Sequence, residues 1–447
     1  MDLLNCNLNI DSILKNGEIK VSVFGQGKMG LPLALVFAEH GLNVIGVDID
    51  KSVVNNLNNG INHITEEPGL SELLLRNIEN KKYTATTDGV QAANDSDIMI
   101  ILVPTLIDER GNIKLDPVYS VSEIISKGLK KGNIVITEAT MPPGTTEKLI
   151  PILEKSGLKL GEFGLSHAPE RTMTGTALRD IKGQYPKIIG CSDEKTYNIV
   201  SKLYNLINKK GTIKMSSIKA AETVKVFEGV YRDVNIGLSN EMALWCEEHS
   251  IDALEVFDAA NTQPFCHFHT PGAGVGGHCI PVYPWFIINT SNEVNPKITK
   301  TARELNDYMA HHMVELTIKG LNEFKKCLNG SNILVLGLTF RGGVKEFMKS
   351  AAIPIINELK LFGANVYSYD PLCDELDAKK YNSKLKTDFT GIDAIIVTSD
   401  HEEFKHIDFE KISKEVSTKL IIDGRNVINV SNASENGFRI IKVGNLK

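Results

Sequence analysis

One six-residue turn, Gly25-Gln26-Gly27-Lys28-Met29-Gly30, constrains this chain more than any other feature. It follows the apolar run 19–24 (IKVSVF) and leads into the helix-like LPLALVFAEHG, which closes at Gly41. A second apolar run, 43–47 (NVIGV), then ends at Asp48. Strand, glycine turn, helix, strand and acid in that order predict a βαβ unit that takes a dinucleotide at its turn. Gly25 permits the tight turn, Gly27 lets a pyrophosphate reach the free amides of the helix start, and Gly30 lets the helix pack on the strand. Asp48 is placed to accept hydrogen bonds from ribose hydroxyls and would repel a 2′-phosphate, so NAD is expected rather than NADP.

More α/β units follow. The runs 97–103 (DIMIILV) and 133–136 (NIVI) are continuously apolar, as strands buried on both faces are. The loops at their carboxyl ends contain Pro104 and Thr105, then Thr140, and ligands of open α/β sheets sit at such loops. A second α/β series runs through 332–336 (NILVL), 365–369 before Asp370, 393–397 and 419–422 before Asp423-Gly424-Arg425. Its first turn, Gly337-Leu338-Thr339-Phe340-Arg341-Gly342-Gly343, is not GxGxxG, so a second Rossmann-like domain with a different ligand is expected.

Between the two series, 217–249 reads as one helix, roughly 45 Å long at about 1.5 Å per residue. Ala220, Val224, Phe227, Tyr231, Val234, Leu238 and Trp245 form an apolar stripe, too regular to face water, which predicts a contact between copies in a homodimer or higher homo-oligomer. Glu222, Lys225, Gly229, Arg232 and Asn235 lie on the opposite stripe. A glycine inside a helix costs about 1 kcal/mol relative to alanine, so a close approach is expected at Gly229. A second helix is expected over 297–325. The 447 residues exceed one core. The fold class read from these patterns is α/β: two Rossmann-like, doubly wound parallel-sheet domains joined by a helical domain with one long central helix. The expected domains are 1–213, 214–327 and 328–447. No repeat or disordered tail is visible, the first fifteen residues excepted.

A net charge of −6 provides no basic field for nucleic acid or membrane, and no apolar run is long enough to span a bilayer. Seven scattered cysteines do not form a disulfide framework, and the N-terminus lacks a signal-peptide pattern, so a cytoplasmic location is expected. One cysteine stands apart. The stretch 261–286 holds Gly272, Gly274, Gly276, Gly277, His278, Cys279, Pro281 and Pro284. Glycines allow close backbone approach to a ligand and prolines fix the exit path, which makes Cys279 a candidate nucleophile; a buried, inert thiol is the alternative. Cys266, His267, His269, His278 and Cys279 lack the spacing of paired metal ligands, so no metal site is expected.

The segments GVGGHCIPV, the Pro169-Glu170 loop, Ala-Glu-x-x-Lys ending at Lys225, GxGxxG, and Asp423-Gly424-Arg425 together resemble the UDP-glucose/GDP-mannose dehydrogenase family, from about residue 19 to the end. The resemblance implies a four-electron oxidation of a UDP-sugar C6 alcohol to a carboxylate with NAD. It implies Cys279 as carrier of a thioester, Lys225 as the catalytic lysine and Glu170 as general base. Arg171, Arg232, Asn235, Gly276, His278, Phe340, Arg341 and Arg425 are the implied substrate-binding residues. The segments Ala168-Pro169-Glu170-Arg171 and Arg232-Asp233-Val234-Asn235-Ile236, with His278, resemble the branch acting on UDP-N-acetylhexosamines.

The chain also departs from the family. Gly229 replaces an asparagine four residues after the lysine, and Tyr283 replaces an acid four residues after the cysteine. Phe265 and Met348 each replace an arginine. An ordinary two-electron NAD dehydrogenase and a non-catalytic nucleotide-sugar-binding relative remain open readings.

Overall fold

The computed structural model describes residues 1–5, 9–108 and 112–446. They divide into two compact units, 1–228 and 229–447, with the boundary inside the helix Ile218–Glu248.

In the first unit, β1 (Lys20–Phe24), β2 (Asn43–Val47), β3 (Tyr83–Thr86) and β4 (Ile98–Ile101) belong to the main sheet. The two-residue strands β5 (Leu106–Ile107) and β6 (Ile113–Lys114) pair with each other. The sheet continues with β7 (Ile134–Thr137), β8 (Gly164–His167), β9 (Lys187–Cys191) and β10 (Thr212–Lys214). Its eight strands run in the order β10-β9-β8-β7-β4-β1-β2-β3. All pairs are parallel except β8 with β9. The chain winds one way from β1 to β3 and the other way from β4, so the strand order reverses between β1 and β4. That reversal opens a crevice at the carboxyl ends, where ligands of such sheets bind. β4 and β7 fall on the apolar runs foreseen there and are wholly buried, while Leu102 and Val103 at the end of the first run are half-buried.

The described residues among the first fifteen are packed on the unit. Leu3 is buried, Ile10–Lys15 is helical, and the Met1 ammonium lies 2.5 Å from Asp97; residues 6–8 fall outside the described residues.

The second unit holds a six-stranded, all-parallel sheet: β11 (Asn332–Leu336), β12 (Asn365–Tyr369), β13 (Lys384–Leu385), β14 (Ala394–Val397), β15 (Leu420–Asp423) and β16 (Arg439–Lys442). The order is β13-β12-β11-β14-β15-β16, with the reversal between β11 and β14. The architecture is therefore α/β, with two parallel-sheet Rossmann-like domains and a helical central region. The helix Lys297–Glu323 packs on this sheet, where Gly320 leaves space that Leu420 and Ile441 fill. Its Arg303 is buried against Asp233 of the long helix, and its Asn306 donates to both Asp233 (3.0 Å) and the Asp233 carbonyl (2.8 Å).

The long helix runs Ile218–Glu248, close to the expected span. Its apolar stripe faces outward: Phe227 is 57%, Tyr231 60%, Leu238 46% and Trp245 50% exposed. Glu222, Lys225 and Gly229 on the polar stripe are buried. Among the described residues, no helix is long and apolar enough to cross a membrane.

Candidate active site

The first unit's turn is built for close approach. Gly25 has φ +100°, and a Cβ there would lie 2.3 Å from the Leu102 carbonyl oxygen. A Cβ on Gly30 would lie 1.8 Å from the Gly25 carbonyl oxygen, so the helix Gly30–Glu39 seats directly on the turn. Gly27 differs, because a Cβ there would meet nothing within 4 Å. The helix start has no side-chain cap from Met29 and no acidic residue in its first turn. The Leu31 amide donates to the Gly27 carbonyl at 3.1 Å, the Leu33 amide to the Met29 carbonyl at 3.3 Å, and Pro32 has no N–H, so a pyrophosphate here would be met by amides of the turn before Leu31. Asp48 accepts from the Gln26 amide at 2.9 Å and the Asp50 amide at 3.0 Å, and stays half-buried. These residues fit a dinucleotide.

Other members of the expected cofactor set have protein partners. The Gln26 side chain turns inward, donating to the Val23 carbonyl at 2.7 Å and accepting from Tyr83 at 2.8 Å, so only its backbone faces the turn. Lys28 pairs with Glu66 at 3.1 Å, and Met29 Sδ accepts from the Thr172 hydroxyl at 2.9 Å. Thr105 donates to the Thr140 carbonyl at 2.5 Å, tying the loop after β4 to the loop after β7; Pro104 is exposed.

Glu170, in the loop after β8, is buried beside Lys225 at 2.9 Å and also accepts the Thr172 amide. Burial alone would raise its pKa. The Lys225 charge and the hydrogen bonds from Thr172 and Lys225 outweigh it and hold the carboxyl below its ordinary value. Glu170 is thus an ionised carboxylate paired with Lys225. Arg171 is committed nearby, to Glu228 at 2.5 Å and the Pro186 carbonyl at 2.9 Å, over the Tyr185 ring. Glu222, one turn before Lys225, accepts the amides of Gly144 (2.5 Å) and Thr146 (2.8 Å) and so fixes the loop after β7 to the helix.

Sequence reasoning missed the layer behind this pair. Glu138 is buried with Lys187 at 2.6 Å and accepts from Tyr204. Burial pushes Glu138 up and Lys187 down. A cavity of about 30 Å³ lies among Glu138, Glu170, Lys187, Tyr185, Tyr204 and Met29. His167, joined to Thr137 at 2.8 Å, is pushed down to about 3 by burial, so its imidazole is neutral. The signal available was Glu138 itself, a carboxylate at the end of the apolar run NIVI, where ligand loops begin.

In the second unit, Cys279 is an exposed free thiol. Its carbonyl accepts the amides of Val282 and Tyr283, both at 3.0 Å, which closes the turn into the helix Tyr283–Ile288. The glycines before it approach protein more than was expected. A Cβ on Gly276 would lie 2.5 Å from Phe340 Cβ, and one on Gly272 2.7 Å from the Gly424 carbonyl oxygen. Gly277 has φ +100° and donates to the Met348 carbonyl at 2.8 Å. The cradle is therefore docked on the loops after β11 and β15. His278 pairs with Glu346. Asn235 donates to the His267 carbonyl at 2.8 Å and accepts the His269 amide at 3.3 Å, holding that segment to the long helix; Arg232 is exposed. Arg341 lies 5.7 Å from the Phe340 ring, and Arg425 faces Asp400 at 3.5 Å. The close approach expected at Gly229 comes from Tyr283, whose ring carbon Cδ2 lies 2.2 Å from where a Cβ would be.

Three family models match in order: the NAD binding domain of the UDP-glucose/GDP-mannose dehydrogenase family over residues 19–208, its central domain over 219–308, and its UDP binding domain over 334–430. The chain belongs to the UDP-glucose/GDP-mannose dehydrogenase family. It is 35% identical over 416 residues to the UDP-N-acetyl-D-mannosamine dehydrogenase of Pyrococcus horikoshii, covering 92% of this chain and 96% of that one. It is 35% identical over 406 residues to the UDP-N-acetyl-D-glucosamine 6-dehydrogenase of Pseudomonas aeruginosa, covering 89% and 94%. The solved structure of the Pyrococcus horikoshii UDP-D-ManNAc dehydrogenase matches with TM-score 0.87 and 33% identity over 96% of this chain and 100% of that one. This family member is thus a dehydrogenase with the family's NAD-binding and UDP-binding domains.

Proposed function

We propose that the chain oxidises the C6 hydroxymethyl group of UDP-N-acetylmannosamine to the carboxylate, forming UDP-N-acetylmannosaminuronate for glycan biosynthesis in the cytoplasm. The names of its relatives support the sugar. The observation that carries the chemistry is the buried Lys225–Glu170 pair at 2.9 Å, with Glu170 held ionised.

Gly25–Gly30 and Asp48 would hold NAD, which would supply a hydride acceptor, one NAD for each of the two oxidations. Glu170 takes the proton of the C6 hydroxyl in the first. The aldehyde carbon then needs a nucleophile before it can lose a second hydride: Cys279 Sγ gives its proton to water and forms the C–S bond while the C=O π bond opens to an oxyanion. Lys225 stabilises the oxyanion of that adduct. Water cleaves the resulting thioester, releasing the carboxylate and returning the thiol, with Glu170 taking the water's proton. In the UDP-binding domain Phe340, Arg341 and Arg425 hold the nucleotide, and Arg171, Arg232, Asn235, Gly276 and His278 orient the sugar. The domain limits 1–213, 214–327 and 328–447 belong to this proposal. So does a homodimer in which the outward stripe Phe227, Tyr231, Leu238 and Trp245 meets a second copy.

A panel of UDP-N-acetylmannosamine, UDP-N-acetylglucosamine and UDP-glucose tests the sugar by kcat/KM. Highest turnover on UDP-N-acetylmannosamine is expected, and a preference for another sugar contradicts it. Cys279→Ala should bind UDP-sugar but form no uronate.

A further inference from the structure

The two departures nearest the proposed chemistry, Gly229 and Tyr283, touch each other. Each lies four residues beyond a proposed catalytic group: Gly229 beyond Lys225 along one helix face, and Tyr283 beyond Cys279. A Cβ on Gly229 would lie 2.2 Å from Tyr283 Cδ2, 3.1 Å from Cγ and 3.2 Å from Cε2. Carbon atoms pack at about 3.5–4.0 Å, so this ring admits only a hydrogen at position 229. The contact is with the base of the ring rather than with a flexible tip. Tyr283 is 6% exposed, and its ring centroid lies 5.8 Å from that of Phe286. Any side chain at 229 must therefore turn or push the tyrosine. The Tyr283 amide is bonded to the Cys279 carbonyl at 3.0 Å, which ties the tyrosine to the turn that carries the thiol.

We infer that Gly229 and Tyr283 form one reciprocal pair in which the tyrosine ring, seated on the bare helix backbone at Gly229, positions the Cys279 turn. Bulk absent from the helix is present on the turn. Tyr283 acts through shape, and its role is that of a positioning residue rather than a proton carrier. The inference rests on the proposal that Cys279 is the nucleophile. The pairing itself can be tested without turnover.

The test is a cycle of Gly229→Ala, Tyr283→Ala and the double variant in the full chain, with Tyr283→Phe as the conservative control. Two readouts are taken: alkylation of Cys279 by iodoacetamide, resolved by peptide mass spectrometry, and kcat and KM on UDP-N-acetylmannosamine. Each alanine variant should change the alkylation rate at least fivefold and lower kcat at least tenfold, with KM within threefold. The double variant should be no worse than the worse single, while Tyr283→Phe stays near wild type. A Gly229→Ala protein within twofold of wild type in both readouts, or losses that multiply in the double, overturns the pairing. If Gly229→Ala fails to fold, recovery of folded protein in the double supports the pair and continued misfolding overturns it. Uronate formation by Cys279→Ala would sink the nucleophile assignment while leaving the alkylation cycle to judge the pair.

Discussion

The turns that open the two parallel sheets share one backbone and differ in what fills it. Gly25 and Gly337 both follow the first strand, with φ +100° and +98°. Each donates its amide at 2.8 Å to the last carbonyl of the neighbouring strand, Val47 or Tyr369. Each strand is followed by an aspartate that captures the turn. There the likeness ends. Asp48 accepts from a single amide of its turn, that of Gln26, and Gly27 beside it opens on space. Asp370 is buried, accepting from the amides of Leu338 (2.8 Å) and Thr339 (3.0 Å), the Thr339 hydroxyl (2.9 Å) and His401 (3.1 Å). Thr339, at the position matching Gly27, is the residue that closes the turn. One side chain and the saturation of one carboxylate separate a dinucleotide receptor from a structural knot.

Cofactor binding is thus expected at the open turn of the first unit, and stability from the closed turn of the second. The largest effect should come from Glu170→Gln, which removes the ionised partner of Lys225. We expect kcat to fall at least a hundredfold, within the range of about 10²–10⁴ for loss of a general base. A loss under tenfold in steady-state kinetics would move the base elsewhere.

Asp370→Ala should come next. It strips the acceptor from several buried donors at about 1–3 kcal/mol each. Urea unfolding of the second unit should show a loss of about 3 kcal/mol or more, against under about 1 kcal/mol for Asp48→Ala. Equal losses would erase the distinction between the two turns. The pH dependence adds a sign. Burial opposes ionisation of Asp370, but His401 and the turn amides outweigh it and hold the carboxyl well below the ordinary range. Its stabilisation is therefore complete above the unfolded value, about 3.9, and is lost as pH falls toward the lower folded value. Asp370→Asn should flatten that acid limb.

A smaller change is expected at the open turn. Asp48→Ala should reduce an NAD-over-NADP preference of at least about tenfold to within about threefold in kcat/KM. Comparable turnover of both cofactors by the wild type would remove Asp48 from the ribose site. Smallest of all, Tyr283→Phe should keep kcat within about tenfold, since a phenol with a free pKa near 10 is a poor base at neutral pH. An alkaline limb that vanishes in this variant would instead make Tyr283 the base.

Much of this was readable from residues, for identifiable reasons. Asn332–Leu336 and Asn365–Tyr369 form strands over the expected residues, the first as an apolar run between turn residues and the second as a β-prone stretch whose alternate residues, Val366 and Ser368, are buried. Tyr83–Thr86 was missed because YTAT at a sheet edge alternates exposed and buried positions over only four residues. Glu138 and Lys187 were missed because a buried ion pair looks, in one dimension, like surface. Gly229 signalled a close approach, but only the fold shows that Tyr283 makes it. The glycines before Cys279 were read as space for a ligand, and Gly272 and Gly276 prove also to be space for Gly424 and Phe340.

The most direct test of a four-electron oxidation through Cys279 is a count of NADH formed per UDP-N-acetylmannosamine consumed to completion. Two NADH per sugar, with uronate as the only product, is the expected result. One NADH per sugar, with aldehyde or ketone accumulating, would make the thiol incidental and contradict the thioester route.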